Sequence, residues 1–314
     1  MFRRRAAGSA ASGPRPDKPP AGAVAPVTAV TAVTTGAPAP GPAAGDPGGP
    51  PPPGLNVSTA HPARVWNYWL GGRDYFAADR AAGEQLSREF PHLAQAARAE
   101  RAFLVRAVRF LAGPARIRQF LDIGAGLPAD GNTHEIAQRV APDAGILYLD
   151  NDPAVLLHAH TLLRRPDLAS TPEGMVSYLD ADLRNVPAVL ASAAGLLDRR
   201  QPAAVIMLGV LGHIGDHGAA RSITSQLMDA FPSGSYLAIA DAVSGRLDTG
   251  SAQRRYCDAA PAPYHLRRPD ELASFFDGLE LAEPGVVPCP RWKPDAGTVS
   301  PADEAAYCGV ARKP

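Results

Sequence analysis

The feature that most constrains the fold is a glycine turn that follows a short apolar segment. Residues 120–126 are Phe-Leu-Asp-Ile-Gly-Ala-Gly, an apolar strand that runs into a Gly-x-Gly turn. Such a turn is typical of the start of a nucleotide-binding α/β domain, because glycine lets the backbone bend tightly and approach a ligand closely. The third glycine of the dinucleotide fingerprint is missing, since Leu127-Pro128 stands in its place.

Four further apolar segments follow the glycine turn. Together with the first they predict strands at 119–123, 145–150, 175–179, 203–209 and 236–241. Short apolar strands that alternate with helical segments are typical of a parallel sheet covered by helices on both faces. Segments 279–288 and 305–313 have no helix between them and should pair antiparallel. We predict an α/β fold with a doubly wound, mostly parallel seven-stranded sheet and an antiparallel C-terminal hairpin.

The chain divides into three predicted parts. Residues 1–55 are almost entirely Ala, Pro, Gly, Val and Thr, so they bury too little apolar surface to fold and we expect disorder. We predict an N-terminal helical addition at residues 56–114, whose first helix ends at Gly71-Gly72 and whose second runs from Asp74 to Arg88. Residues 115–314 form the predicted ligand-binding domain. Trp66 and Trp69 lie on an apolar stripe of the first helix and are predicted core residues.

Composition disfavours several function classes. The chain has 31 basic and 31 acidic side chains, and this balance argues against a nucleic-acid or membrane-surface binder. The longest apolar run, 205–211, is too short to cross a bilayer. Residues 3–5 are arginines that no apolar segment follows, so we expect no secretory signal. Three cysteines without metal-ligand spacing predict no metal site and a reducing cytoplasm.

Polar groups at successive strand ends predict the ligand. Asp150, after the second strand, is placed to accept ribose hydroxyls, and Asp182 with the Leu183 N–H is placed to bind adenine. Asp182 has a structural alternative as the N-cap of the next helix. Gly124 and Asp150 are 26 positions apart, more than usual, because extra turn residues delay the next helix to Thr133. Asn132 and Glu135 form the predicted capping box of that helix. The delay removes the phosphate cradle at the helix N-terminus, so we predict an adenosine ligand without pyrophosphate.

At this point the sequence resembles the class I S-adenosylmethionine-dependent methyltransferases. The matching segments are FLDIGAG, YLDND, DADL, LGVLGHI and PSGSYLAIAD. From about His61 to Lys313 the chain is similar to an actinobacterial methyltransferase family first catalogued as a domain of unknown function. The segments that carry this closer resemblance include HPARVWNYWLGGRDYFAADR and the closing GVARK. The resemblance implies a Rossmann-like fold, transferase activity and S-adenosylmethionine as the cofactor.

The resemblance also implies where the cofactor binds. It places Asp122 and the two glycines of the turn around the methionine part, Asp150 on the ribose and Asp182 at the adenine. His134, at the start of the next helix, is expected to face the cofactor carboxylate or, alternatively, to be solvated. The predicted cofactor-binding residues are Asp122, Gly124, Ala125, Gly126, His134, Asp150, Asn151, Asp182, Leu183 and Gly209.

The acceptor side is predicted less specifically. His213, after the fourth strand, is the candidate catalytic base or substrate contact, and its alternative is a polar rim histidine. The Gly71-Gly72 pair has the freedom of a hinge, so the N-terminal helices are predicted to form a lid over the cofactor. The alternative is a helix pair that packs on the sheet edge. The predicted substrate or lid residues are Tyr68, Arg73, Asp74, Tyr75 and Asp241.

The predicted function is methyl transfer from S-adenosylmethionine to a small-molecule acceptor in the cytoplasm, without a nucleic-acid, membrane or metal partner. The oligomeric state stays open. One alternative is a non-catalytic S-adenosylmethionine binder, because the family pattern has Tyr-Asp at Trp66-Asn67 and often a histidine at Gly212. A nicotinamide-dependent oxidoreductase is the other alternative, and the delayed helix and missing third glycine disfavour it.

Overall fold

The structure is a computed structural model that describes residues 28–31, 55–129, 131–162, 174–244, 260, 262–295 and 305–314. Its helices are α1 (Pro62–Trp69), α2 (Ala77–Glu89), α3 (Leu93–Ala112), α4 (Thr133–Val140), α5 (Pro153–Leu162), α6 (Val186–Ala193), α7 (His217–Asp229) and α8 (Pro269–Ala273). Its strands are β1 (Thr28–Thr31), β2 (Gln119–Ile123), β3 (Gly145–Asp150), β4 (Val176–Asp180), β5 (Ala204–Leu208), β6 (Tyr236–Ala242), β7 (Glu280–Leu281), β8 (Val287–Pro288) and β9 (Ala306–Arg312).

The strands form one sheet in the order β1-β4-β3-β2-β5-β6-β9-β7, with β8 paired to β9. Strands β2 to β6 run parallel to one another. Strand β9 is antiparallel to β6, β7 and β8. The predicted doubly wound α/β class with antiparallel C-terminal strands is therefore confirmed. The five predicted parallel strands correspond to β2–β6, and the segment 305–313 corresponds to β9. The predicted segment 279–288 contains two short strands, β7 and β8, and β1 is an addition.

Strand β1 lies within the segment that was predicted to be disordered. Its backbone pairs antiparallel with β4, with Thr28 opposite Asp180 and Thr31 opposite Ser177. The Thr-Ala-Val-Thr sequence of β1 is rich in β-branched residues, which favour extended backbone at a sheet edge. Residues 1–27 and 32–54 lie outside the described part of the chain.

Helices cover both faces of the sheet. On one face, α6 and α7 pack on β2 and β5 through buried residues such as Val189, Leu227 and Val205. On the other face, α3 and α4 pack on β2 and β3, with Phe103 and Ile136 in the core. This two-sided burial explains why the central strands are almost entirely apolar.

The N-terminal helices form a smaller cluster of their own beside the sheet. It contains Val65 and Trp69 of α1 and Leu86 of α2. Helix α2 begins at Ala77 rather than at the predicted Asp74, because Asp79 accepts the backbone N–H of Phe76 at 2.8 Å and fixes the helix start there. Helix α3 connects this cluster to the main core.

Candidate active site

The glycine turn after β2 has the backbone shape that the sequence predicts. Gly124 and Gly126 have φ angles of 71° and 63°, in the region that favours glycine. The N–H of Gly126 donates to Oδ2 of Asp150 at 2.9 Å, which joins the turn to the end of β3. A Cβ added to Gly126 would meet no described atom within 4 Å. The turn is therefore held on one side and open on the other, where a ligand can approach the backbone.

Asp150 is buried at the end of β3, with 9% of its surface exposed. Its Oδ1 accepts the N–H of Asp152 at 2.9 Å, and its Oδ2 accepts the N–H of Gly126. Burial raises the pKa of the Asp150 carboxyl, while these backbone donors act in the opposite direction. Each carboxylate oxygen keeps a lone pair for a further donor, so ribose hydroxyls fit this group. Asn151 is exposed beside it.

Asp122 of β2 connects this strand to the start of α4. Its Oδ2 accepts a 2.6 Å hydrogen bond from the hydroxyl of Thr133, the first residue of α4. Burial raises the pKa of Asp122 to about 6, although the Thr133 hydrogen bond acts against the shift. Thr133 was missed as a functional residue, because a threonine after an N-cap asparagine is an ordinary helix start. The pair fixes where α4 begins relative to β2.

His134 lies inside the protein, with 6% of its surface exposed. Its backbone N–H donates to the hydroxyl of Tyr148, and its Nδ1 lies 2.9 Å from the same hydroxyl. The Tyr148 ring stacks on Tyr178 with 4.7 Å between centroids. Burial lowers the pKa of His134, so its ring is neutral at physiological pH. The alternative of a solvated helix start is wrong.

The extra turn residues between the glycines and α4 are held by an arginine of α3. Arg101 donates to the backbone oxygen of Ala129 at 3.0 Å and to Oδ1 of Asn132 at 3.1 Å. Glu135 accepts the backbone N–H of Asn132 at 3.3 Å, as the predicted capping box requires. Arg101 therefore brings a positive charge to the methionine end of the predicted site. The sequence did not single it out.

At the end of β4, Asp182 is exposed and pairs with its neighbour Arg184, whose backbone N–H lies 2.9 Å from Oδ1. The N-cap of α6 is Asn185, which accepts the N–H of Ala188 at 3.2 Å. The alternative role of Asp182 as that N-cap is therefore wrong. Leu183 is buried between these residues.

Two predicted acceptor-side residues lie at the ends of β5 and β6. Asp241 is buried and accepts hydrogen bonds from the hydroxyl of Tyr264 and from the N–H of Gly212. Burial raises the pKa of Asp241 to about 7, against the influence of Arg267. His213 Nδ1 lies 3.0 Å from the oxygen of Pro263, and burial lowers the pKa of this histidine.

Gly212 is explained by the same cluster, because a Cβ on this residue would overlap the Tyr264 ring. Asn67 likewise has a local role. Its Oδ1 accepts the N–H of Asp74 at 3.0 Å, and a Cβ on Gly72 would overlap its side chain. Both departures from the family pattern therefore hold the local structure together, and they give no support to a loss of activity.

Helix α1 reaches the carboxyl edge of the sheet at two points. His61, just before α1, places Nδ1 2.7 Å from Oδ2 of Asp152. Trp66 lies against Gly209 at the end of β5, where a Cβ would be 3.6 Å from the Trp66 ring. Trp69 is a core residue, as predicted, whereas Trp66 is only half-buried. Neither His61 nor Trp66 stood out as a site residue in the sequence.

The predicted lid residues surround the α1–α2 turn. The rings of Tyr68 and Tyr75 meet edge to face, 5.1 Å apart. Gly71 has a φ angle of 81°, in the region that favours glycine, and Arg73 is exposed. Asp74 is half-buried and fixed through its backbone N–H. These residues lie at the far end of α1 from His61.

Comparison with known proteins identifies the family. Residues 50–314 match the family model described as S-adenosyl methyltransferase. The chain belongs to this family. A DUF574 family protein from Streptomyces avermitilis is 41% identical, with a TM-score of 0.75, and the match covers 82% of this chain and 99% of that one. A candidate methyltransferase from Thermobifida fusca is 37% identical, also with a TM-score of 0.75, over 84% and 98% of the two chains. None of the curated proteins matches the chain significantly.

The chain is thus an S-adenosylmethionine-dependent methyltransferase. Its residues fit this cofactor, because the methyltransferase combines an open glycine turn at Gly126 with a buried carboxyl group at Asp150 and a cation at Arg101. No helix of the described part is both long and apolar enough to cross a membrane. Within the same residues, no cluster of three or more His, Cys, Asp or Glu side chains has the geometry of a metal site.

Proposed function

We propose that this methyltransferase acts on a small-molecule acceptor that binds between helix α1 and the carboxyl edge of the sheet. The observation that carries the proposal is the double contact of α1, through His61 at the end of β3 and through Trp66 at the end of β5. In this proposal the acceptor occupies a space between α1 and the ends of three neighbouring strands, β3, β2 and β5. Such a space suits a small molecule rather than a folded nucleic acid.

The cofactor occupies the glycine turn in this proposal. Asp150 and Asn151 bind the ribose hydroxyls, and Asp182 with Leu183 binds the adenine. Arg101 and the turn around it bind the methionine carboxylate, because a guanidinium pairs well with a carboxylate. When bound, S-adenosylmethionine supplies a methyl group on a positively charged sulfur. The chain itself orients the acceptor and excludes water.

His213 is the proposed base for acceptors that lose a proton. Its Nδ1 lies 3.0 Å from the carbonyl oxygen of Pro263, which can only accept, so Nδ1 carries the proton. Burial lowers the pKa of the imidazole, which leaves Nε2 neutral and able to take a proton. The Tyr264 ring packs edge to face against the His213 ring, with 4.9 Å between centroids, and the Tyr264 hydroxyl donates to Asp241. Asp241 and Tyr264 therefore position this histidine.

We place the reaction in the cytoplasm. Cys289 and Cys308 are buried and free, and buried thiols of this kind are typical of a reducing compartment. The third cysteine, Cys257, lies outside the described residues.

Ligand-induced thermal stabilisation tests the cofactor assignment. We expect S-adenosylmethionine and S-adenosylhomocysteine to stabilise the protein, and NAD to have no effect. Asp150→Ala should abolish the stabilisation, while Asp229→Ala, an exposed control on α7, should retain it. Stabilisation by NAD alone would contradict the assignment.

Turnover tests the acceptor class. An actinobacterial cell extract is separated by ultrafiltration into small-molecule and macromolecular fractions, and S-adenosylhomocysteine release is measured with each. We expect release with the small-molecule fraction. Release with the macromolecular fraction alone would overturn the proposed acceptor class.

A further inference from the structure

Glu100 of α3 is a buried carboxyl group that the assignments above do not use. Only 1% of its surface is exposed, and neither of its side-chain oxygens has a hydrogen-bond partner among the described residues. Burial raises the pKa of Glu100 well above its ordinary value, and the nearby charge of Asp241 adds to the shift. A buried carboxyl without donors is costly for folding, so its presence needs an explanation.

The position of Glu100 beside Gly209 suggests why a buried carboxyl group is present. Its Oε2 lies 3.5 Å from the point that a Cβ on Gly209 would occupy. The Trp66 ring lies 3.6 Å from the same point, so a carboxyl and an aromatic ring converge over a glycine at the end of β5. Gly209 has a φ angle of 63° and lacks a side chain to fill this space.

A carboxylate beside an aromatic ring is the combination that recognises organic cations. The carboxylate accepts hydrogen bonds from the cation, and the face of the ring attracts its charge. Asp241 is a second buried acidic group near Glu100, and Arg267, the cation that acts on Asp241, donates to the backbone oxygens of Leu211 and Ile214. Glu100 therefore has no hydrogen-bonded cation among the described residues, and a bound ammonium group would provide one.

We propose that Glu100 and Trp66 form a binding site for an ammonium group above Gly209. This inference rests on the proposed function, because the site lies beside the glycine turn assigned to the cofactor. Two ligands share the chemistry: the α-ammonium group of S-adenosylmethionine and the ammonium group of an amine acceptor. Because Glu100 is buried and the Trp66 ring of α1 lies beside the same glycine, we expect α1 to shift when the ligand enters, as the predicted lid would require.

The first experiment tests the cofactor as the source of the ammonium group. Calorimetry measures the affinity of the wild type and of Glu100→Gln for S-adenosylhomocysteine and for methylthioadenosine, which lacks the amino-acid part. If the cofactor is the source, Glu100→Gln weakens S-adenosylhomocysteine binding by about ten- to hundredfold, as expected for a hydrogen bond to a charged group, and leaves methylthioadenosine binding unchanged. Glu84→Gln, the same change at a glutamate on α2 that pairs with Arg80, is the matched control.

The second experiment tests an amine acceptor as the source. Phenethylamine and the uncharged phenethyl alcohol are titrated into each variant saturated with S-adenosylhomocysteine. If the acceptor is the source, the wild type prefers the amine by about tenfold or more, and Glu100→Gln loses the preference. Trp66→Leu, which leaves the carboxyl in place, should reduce binding of the same ligand and serves if Glu100→Gln does not fold.

One result of these two experiments overturns the proposal: both variants bind every ligand with the affinity of the wild type. Glu100 is then a protonated core residue and the ammonium site does not exist. Failure of the proposed function is seen separately, as a wild type that binds neither S-adenosylhomocysteine nor methylthioadenosine.

Discussion

Nδ1 of His61 lies 2.7 Å from Oδ2 of Asp152, and this pair joins the start of α1 to the turn after β3. Asp152 is two positions from Asp150, the proposed ribose acceptor, and its Oδ1 also accepts the N–H of Ala154 at the start of α5. His61 is 40% exposed, whereas Asp152 is 3% exposed. The contact therefore lies at the edge of the site, where movement of α1 would open or close it.

His61→Ala should loosen the lid without unfolding the protein. We expect S-adenosylhomocysteine to bind roughly two- to fivefold more weakly, because a partly exposed hydrogen-bonding contact contributes about 1 kcal/mol. Calorimetry measures the change, with the exposed His92→Ala as the matched control. Equal affinities for the two variants would show that His61 does not contribute to the lid.

Thr133→Val should destabilise the glycine turn. Valine has the shape of threonine but no donor, so Oδ2 of the buried Asp122 loses its 2.6 Å hydrogen bond. We expect a loss of about 1–3 kcal/mol in the free energy of unfolding, measured by urea denaturation. Thr59→Val, at an exposed residue before α1, should change it by less than about 0.5 kcal/mol. Equal effects would show that the Thr133–Asp122 bond is not a structural support.

The contribution of Asp122 and Asp241 to stability should fall as the pH rises from weakly acid to neutral. In the folded state, burial raises the pKa of Asp122 to about 6 and that of Asp241 to about 7. Both values exceed the unfolded value of about 3.9, so the folded state binds protons that the unfolded chain releases. The stabilising contribution is complete below about pH 4 and is lost as the pH rises through the folded pKa values.

Asp122→Asn and Asp241→Asn check this pH dependence, because asparagine does not ionise. Thermal unfolding is measured between about pH 4 and pH 8, and the stability of the wild type relative to each variant should fall as the pH rises. Asp229→Asn, at an exposed position of α7, should follow the wild type. A stability difference between the wild type and each variant that stays constant or rises with pH would contradict the assigned protonation.

The sequence predicts the sheet well, because its signals are local. Strands β2 and β3 have the predicted bounds, since each is an apolar segment between turn residues. The start of α4 at Thr133 also agrees, because Asn132 and Glu135 mark it within four residues. Helix α2 is shifted from its prediction, because its start depends on Asp79 and its contact with the segment before α1.

The N-terminal side of the site is not predictable in the same way. Glu100 and Arg101 lie in a helix with several arginines and alanines, where charged residues usually face solvent. Only the packing of α3 on the sheet shows that Glu100 faces Gly209 and that Arg101 faces the extra turn residues. His61 and Asp152 are 91 positions apart, and no local pattern connects them.

Gly212→Ala should disturb the acceptor side selectively. A Cβ at this position overlaps the Tyr264 ring, so the ring must move and its hydroxyl leaves the buried Asp241. We expect a loss of about 1–3 kcal/mol in the free energy of unfolding, from overpacking and a lost donor. Gly195→Ala is the matched control, because a Cβ there meets no described atom within 4 Å. Because Asp150 and the glycine turn are untouched, S-adenosylhomocysteine affinity should stay within about twofold of the wild type while turnover falls. Loss of cofactor binding in step with turnover would show instead that the Asp241 cluster belongs to the cofactor side of the site.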